Sequence, residues 1–512
     1  MTRFASVLFP DDARPLAGQA QEKPESFGDL NIDQIVELAV AGREFYNLRP
    51  HFYAGLTSAA AVEYRQQIYR DLERSAIREA VEAFALAMQD MRNRLVAASR
   101  LRYPYQKQRL FLDAVLTYGN AVRCLARELG RHGPSSAGLI AFRDYLAGYA
   151  DSAVFNQLYQ QARELDKSLA AVRYTIHIKG SRVRVSRYAD EPDYSEEITA
   201  TFAGFEQSQV QDYRTGFTIE LEMGHIEAGI LDLVARLYSD LFEALGVFCG
   251  RWQDFADGLL IRFDREIQFY LAWLDCLAPL RAAGLGFCYP QVSAVSKETY
   301  AADMFDLALA HKLVSEQAPV VRNDLRMSES QRLLVITGPN QGGKTTYARA
   351  VGQLHHLASI GCPVPAREAR LFLASNVLTH FEQEEDVASL NGKLAEDLRR
   401  VRRIFHRATA GSVIILNEIF TSTTPTDALF LSTRILERVA KLDALCVCVT
   451  FLDELASFSP ATVSLVSTVA PENPALRTFK LVQRPADGLA YAAAIAQKYG
   501  LTHDQVKARV AP

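Results

Sequence analysis

The stretch LLVITGPNQGGKTTYARA, residues 333–350, constrains the fold more than any other part of the chain. Leu333 to Ile336 are an apolar run of strand length, and a helical run opens at Lys344. Between them Gly338, Gly343, Lys344 and Thr345 fit the spacing G-x-x-x-x-G-K-[ST]. Small residues at such a turn let backbone N–H groups close on phosphate oxygens, and the N-terminus of the following helix presents partial positive charge. Pro339, Asn340, Gly342 and Thr346 complete the loop and the first turn. Lys344 brings an ammonium to the outer phosphates, and the Thr345 hydroxyl is placed to hold magnesium. ATP with Mg2+ is the expected ligand.

From about Ala301 onward strands and helices alternate, with apolar strands at Leu333–Ile336, Val413–Leu416 and Cys446–Thr450. That rhythm predicts a mostly parallel sheet with helices on both faces. The earlier part differs. From Ile32 to Asp166 the apolar spacing is helical almost throughout, including Ala60–Met91 and Lys107–Arg131, the latter closed by a Gly-Arg-His-Gly-Pro break. The period then drops to two, and Tyr174 to Arg187 predicts a β-hairpin turning at Gly180-Ser181. Thr199–Phe205 and Phe217–Glu222 are further candidate strands, after which helix resumes from Ile226 to about Ala283 and closes at Gly284 and Gly286. Residues 11–30, rich in Pro, Gly, Asp and Gln, read as an arm or loose lead-in. The expected chain is therefore multidomain: an N-terminal arm (1–30), an all-α domain (31–300) with a small β insert near 172–222, and an α/β domain (301–512).

Composition narrows the classes further. At 512 residues, 49% apolar and 23% charged, the chain is ordinary globular protein with room for two to four domains. A formal charge of −4 means that nucleic-acid binding has to come from local basic patches. No apolar stretch reaches the length of a membrane span, and the first residues lack a secretory apolar core, so a cytoplasmic location without membrane partner is expected. The seven cysteines are scattered, and Cys446 and Cys448 lie in a strand-like run, which favours buried thiols over a disulfide or zinc site. His355, His356, His380 and His406 have no metal-ligand spacing and read as structural.

A second polar element follows the glycine loop. Val413-Ile-Ile-Leu-Asn-Glu is an apolar strand ending in two polar residues. In phosphate-loop ATPases such a strand delivers an Asp to the magnesium shell and a Glu that orients the attacking water. Here the first position is Asn417, which accepts a hydrogen bond from metal-bound water without adding charge. Glu418 keeps the general-base role within reach. The plain alternative is a buried strand with a polar end facing solvent.

With these residues the chain resembles the MutS family of DNA mismatch-repair proteins. TGPNQGGKTT and LNEIFTSTT stand where the family has TGPNxxGKST and DEIxxGTS. The likeness extends to Ile360-Gly-Cys-Pro-Val-Pro-Ala, to Tyr64-Arg-Gln with Asp71-Leu72, and to Leu274-Asp275 with Tyr289-Pro290. It is strong over 301–512 and weaker but collinear over about 50–300. The resemblance implies a helical core and lever domain followed by an ABC-class phosphate-loop ATPase domain, a homodimer with two sites at its interface, and DNA as partner. Lys344 and Glu418 would be its catalytic residues, and Thr345 and Asn417 its magnesium ligands.

The departures matter as much. Family members that read mismatches carry a Phe-x-Glu wedge in an N-terminal domain, whereas about thirty residues precede the helical core here, and Arg43-Glu-Phe-Tyr-Asn is only a superficial echo. The chain also stops soon after the ATPase region, without room for the nuclease domain of longer paralogues. Asn417 replaces the magnesium-shell Asp, and Thr450-Phe451 stands where the family has a Thr-His switch. In Ser389-Leu-Asn-Gly-Lys-Leu, Gly392 replaces a Ser that touches the partner subunit's nucleotide, and Lys393 follows it. Gly392 and Lys393 at a dimer-facing turn would bind phosphate through a backbone N–H and a charge; a solvated lysine is the alternative. These changes predict slow ATP turnover rather than loss of binding.

DNA affinity needs Lys and Arg against phosphates. The hairpin offers Lys179, Arg182, Arg184 and Arg187, in the region where the family inserts its DNA-gripping clamp; an edge strand protected by charge is the alternative. Arg92, Arg94, Arg100, Arg102, Lys107 and Arg109 read as solvated helix surface. Arg399, Arg400, Arg402 and Arg403 read as partners for the acidic run Glu382 to Asp386 or for the second subunit. The sequence thus points to an ATP-dependent DNA-binding protein that recognises duplex or branched structure, serving mismatch repair or recombination. A nucleotide-dependent protein scaffold with weak ATPase activity and no DNA contact is the alternative.

Overall fold

Apolar residues three and four apart bring most of the chain before residue 282 into helices, and the tertiary contacts decide where each helix stops. This computed structural model describes residues 4–10, 22–180, 182–190, 223–382, 392–470, 472–486 and 507. The described chain opens with α1 (Ser26–Asp29), α2 (Ile32–Val40) and α3 (Arg49–Tyr53), then α4 (Ala59–Leu72), α5 (Ser75–Arg100), α6 (Pro104–His132), α7 (Ala137–Ala150) and α8 (Ala153–Ala170). A hairpin of β1 (Tyr174–Lys179) and β2 (Arg182–Arg187) precedes α9 (His225–Leu237), α10 (Ser239–Arg251) and α11 (Gly258–Ala282). There follow β3 (Gln291–Ser293), β4 (Thr299–Met304), α12 (Leu307–Ser315), β5 (Asn323–Met327), β6 (Leu333–Thr337) and α13 (Lys344–Ser359). The chain continues through β7 (Glu368–Phe372), β8 (Asn376–Phe381), α14 (Lys393–Arg407), β9 (Ser412–Asn417), α15 (Pro425–Leu442), β10 (Leu445–Val449), β11 (Thr462–Ala470) and β12 (Asn473–Gln483).

Two compact units result: Met1–Phe4 with Arg74–Pro134 and Ile140–Asp264, and Ala5–Glu73 with Ser135–Leu139 and Arg265–Pro512. Among its described residues the first is helical apart from the β1–β2 hairpin, with α5 packed on α6 and the rings of Phe142 and Phe263 stacked 3.5 Å apart. The helix expected over Ile226–Ala283 is broken into α9, α10 and α11. The last break is set by Asp257, whose Oδ1 accepts from the N–H groups of Leu259 (2.9 Å) and Leu260 (3.0 Å) and so starts α11. Ala60–Met91 likewise divides at Glu73–Arg74. Arg74 turns extended, at ψ 115, and its guanidinium donates to the carbonyls of His132 (2.6 Å) and Gly133 (2.9 Å) at the end of α6. The candidate strands Thr199–Phe205 and Phe217–Glu222 lie outside the described residues.

The second unit holds a six-stranded sheet in the order β12-β11-β6-β10-β9-β8 and a four-stranded one in the order β3-β7-β4-β5. In the larger sheet β11, β6, β10, β9 and β8 pair in parallel, and β12 closes one edge antiparallel to β11. β6, β9 and β10 are buried along their whole length, which explains their unbroken apolar runs. Segments far apart in sequence converge in this unit. Arg65, 1% exposed, donates to the carbonyls of Leu8 (3.0 Å) and Ile360 (2.8 Å), and Gln66 donates to Pro290 O at 3.0 Å. Tyr69 lies 3.3 Å from the Cys362 sulfur, and Trp273 Nε1 donates to Pro363 O at 3.3 Å. Cys446 and Cys448 are buried free thiols, and burial pushes Cys448 up to about 12.

The lead-in of residues 24–30 is not loose, contrary to what its composition predicts. Phe27 and Leu30 are fully buried, and Phe27 packs edge-on against Tyr53 and His356. The Asp29 carboxylate accepts from Thr379 Oγ1 (2.7 Å) and Arg400 (2.5 Å), and its carbonyl accepts from Arg349 Nε of α13 (2.9 Å). Two apolar side chains and one multiply bonded carboxylate are too few to shift a composition window, yet they anchor the segment. Phe27→Ala is expected to destabilise the protein by about 3–5 kcal/mol in denaturant unfolding. Breaking the exposed Glu25–Arg407 pair with Glu25→Ala should cost under about 1 kcal/mol.

Candidate functional site

The loop that the sequence singled out is built by close backbone approach. Gly338 has φ +109 and Gly343, the residue capping α13, has φ +89, both in the region that side chains avoid. A Cβ at Gly338 would lie 2.7 Å from Ser467 Oγ, and one at Gly342 would lie 2.5 Å from the same atom and 2.9 Å from Pro339 O. Ser467 is fully buried on β11, so the loop folds directly against the neighbouring strand. With glycine as its cap, α13 has no side chain to occupy its first-turn N–H groups, which stay available to an anion.

Around this loop the register of the parallel strands collects the other groups. Ile336 and Asn417 both lie opposite Val449, so β6, β10 and β9 end level. Thr345 Oγ1 consequently donates to Asn417 Oδ1 at 3.0 Å, although the two residues are 72 apart in sequence. Glu418, just beyond β9, has φ +55 and donates its N–H to Val449 O at 2.9 Å. Burial raises its carboxyl above the ordinary range, opposed by the nearby Lys344 charge. Lys344 is 4% exposed and donates to the carbonyls of Gly338 (2.8 Å) and Pro339 (3.4 Å) and to Asn340 Oδ1 (3.3 Å). Its ammonium sits 4.2 Å from the centre of the Phe451 ring. Burial lowers its pKa to about 8, with Glu418 opposing and Arg477 adding to the drop. Thr450 Oγ1 accepts from Leu452 N–H at 3.0 Å.

A cavity of about 670 Å³ opens beside the loop. Its polar side carries Asn340, Lys344, Thr345, Thr346 and Glu418, and its apolar side includes Leu309, Leu313, Pro319 and Val320. That size and division suit a small ligand with an anionic and an apolar part. Gly392 and Lys393 are not in its lining. Gly392 caps α14 with nothing within 4 Å of a would-be Cβ, and Lys393 pairs with Glu382, which also accepts from Thr421 Oγ1 at 3.1 Å. The acidic run's remaining residues and Ser389 lie outside the described residues. Arg477, Thr478 and Phe479 of β12 line the cavity and were missed by sequence reasoning, because only the antiparallel pairing of β12 with β11 brings them to the loop.

The hairpin divides its four cations. Cross-strand pairs Lys179–Arg182, His177–Arg184 and Thr175–Ser186 alternate with Ile178–Val183, Ile176–Val185 and Tyr174–Arg187. Lys179, Arg182 and Arg184 therefore share one face, exposed and polar, while Arg187 belongs to the other. Arg187 donates to Leu237 O (2.5 Å) and lies 4.9 Å from the Tyr238 ring centre, fastening the hairpin to the end of α9. Elsewhere several cations of the other clusters pair with carboxylates: Arg92 with Asp264, Arg94 with Asp90, Arg109 with Asp113 and Asp166, and Arg400 with Asp29. His355 Nδ1–H donates to Phe372 O (3.1 Å) and His356 Nε2–H to Phe52 O (2.8 Å), and burial pushes both to about 4, so they serve as neutral core donors. His380 lies 3.2 Å from Asp397.

Comparison with known proteins adds a family to this geometry. Residues 334–508 match the family described as MutS domain V. A curated DNA mismatch repair protein MutS from Synechococcus sp. (strain CC9902) is 31% identical over 204 residues. That similarity covers 39% of this chain and 22% of the relative, so the chain matches well under half of the relative's length. From the packing of the loop, Gly342→Ala is expected to force the loop off Ser467 and lower stability in denaturant unfolding, whereas Gly392→Ser should leave stability unchanged.

Proposed function

We propose, for a chain that belongs to the MutS family, an ATP-dependent DNA-binding protein in which ATP binding and hydrolysis at a homodimer interface switch the grip on DNA, in mismatch repair or recombination. The observation that carries this reading is the Thr345–Asn417 hydrogen bond of 3.0 Å, with Thr345, Lys344 and Glu418 lining a cavity of ligand size. On this reading residues 301–512 are an ABC-class ATPase domain, and residues 31–300 are a core and lever domain that carries the DNA contacts.

The loop amides and the first turn of α13 receive phosphate oxygens, and Lys344 exchanges its own loop carbonyls for phosphate. Thr345 and Asn417 supply two hard oxygen atoms close together and would hold a magnesium ion, to which they would add no negative charge. Such an ion would screen the phosphate charge. Glu418 orients the attacking water and takes its proton, and burial moves its carboxyl toward the range of an effective base. Phe451 has no group to hydrogen-bond a γ-phosphate, and Thr450 already holds Leu452, so slow turnover is expected. Gly392 and Lys393 would meet the partner subunit's nucleotide, for which Lys393 must leave Glu382. Lys344→Ala should abolish ATP binding, and Glu418→Gln should keep binding while slowing phosphate release at least ~100-fold. Equal release by wild type and Glu418→Gln would overturn the base assignment.

DNA contact is assigned to the Lys179, Arg182 and Arg184 face. In gel-shift titrations with junction and plain duplex, the affinity should fall steeply with salt. Neutralising those three should reduce the log–log slope by about 2–3, at roughly 0.9 per phosphate contact. Arg187→Ala should leave the slope unchanged. Absence of any salt-dependent DNA binding would favour a nucleotide-dependent protein scaffold instead.

A further inference from the structure

Ser467 of β11 lies against the glycine loop with its hydroxyl unused. The residue is fully buried, and among the described residues its Oγ has no hydrogen-bond partner. Strand register puts it there. Val466 pairs with Thr337, the last residue of β6, so Ser467 follows alongside Gly338, where the loop begins. A buried hydroxyl without a partner costs free energy. An alanine would present the same Cβ to the glycines without that cost, so packing alone does not call for serine.

The carbonyls of the loop give the hydroxyl its meaning. A Cβ at Gly342 would lie 2.5 Å from Ser467 Oγ and 2.9 Å from Pro339 O, so these two oxygens are near neighbours. No hydrogen bond joins them. Pro339 O instead accepts from the Lys344 ammonium at 3.4 Å, a long contact, while Gly338 O accepts from the same ammonium at 2.8 Å. The loop carbonyls and Lys344 satisfy one another in this conformation. On the nucleotide-binding reading Lys344 exchanges those carbonyls for phosphate, and Pro339 O then needs another donor. The Ser467 hydroxyl stands beside it and turns about its Cβ–Oγ bond, so a small rotation of the Pro339 peptide closes the gap.

We infer that Ser467 is a positioning residue of this site, whose hydroxyl takes over the Pro339 carbonyl when Lys344 turns to the phosphates. This rests on the nucleotide-binding reading and adds to it a donor from outside the loop motif. The bond forms only with ligand bound, so it favours the bound state and contributes nothing to the empty fold. A purely packing role would act on the empty protein and on every ligand alike. The two separate by how the loss depends on phosphate number and by the stability of the protein without ligand.

The test uses the full-length protein, with calorimetric titration of ATP, ADP, AMP and adenosine, each with magnesium, and denaturant unfolding without ligand. Ser467→Ala should weaken ATP and ADP by ~3- to 10-fold, the loss of one hydrogen bond. AMP and adenosine should be unaffected, because neither carries the outer phosphates that draw Lys344 off its carbonyls. Without ligand the unfolding midpoint of Ser467→Ala should equal or exceed that of wild type, since an unpartnered buried hydroxyl is removed. Wild-type ATP affinity in Ser467→Ala, an equal loss for all four ligands, or a lowered midpoint without ligand would overturn the inference and leave a packing contact. If wild-type protein bound neither ATP nor ADP, the nucleotide reading itself would fail and take this inference with it; failure in the variant alone leaves that reading standing.

Discussion

The level ending of three parallel strands is the constraint on which the rest of the site depends. β6, β10 and β9 are hydrogen-bonded so that Ile336 and Asn417 face the same residue, Val449. A slip of one residue would turn every side chain of a strand to the opposite face and separate Thr345 from Asn417. These strands are buried on both sides, so their register is held by packing as well as by hydrogen bonds. The glycine loop then has its conformation dictated from the side, by Ser467 pressing on Gly338 and Gly342. Charge follows from this geometry rather than creating it: Lys344, Glu418 and Arg477 come from three separate elements brought to one cavity.

Much of the second unit serves to hold that arrangement. Arg65, Gln66 and Tyr69 of α4 reach carbonyls and a sulfur contributed by segments more than two hundred residues away. Each is a buried polar group, costly unless satisfied, and each is satisfied by the chain segment just after α13 or just before β3. Asp29 does similar work between α13, β8 and α14. The family-like segments around Arg65–Tyr69, Pro290 and Ile360–Pro363 therefore act in packing. Their residue types are explained by where their hydrogen bonds go.

The hairpin shows the opposite balance. Its backbone pairing follows directly from alternation, and the register places Lys179, Arg182 and Arg184 on one exposed face. Arg187 belongs to the same run of cations in sequence but is spent on Leu237 O and the Tyr238 ring. A charge run thus divides into a solvent-facing part and a fastening part, and counting charges along the chain cannot separate them.

The sequence by itself determined the elements whose signal is local: the strand–loop–helix unit at 333–350, the helical character before residue 170, the hairpin at Tyr174–Arg187, and the identities of Lys344, Thr345, Asn417 and Glu418 as a set. It also exposed the altered positions, since Asn417 and Phe451 can be read without coordinates. Only the tertiary structure decided where long helical runs break, because Asp257 and Arg74 act through partners that periodicity does not record. It decided that residues 24–30 are anchored, because two buried side chains outweigh a polar composition. It alone brought Arg477 to the loop, since the pairing of β11 with β12 is a long-range hydrogen-bond fact with no signature at the arginine itself.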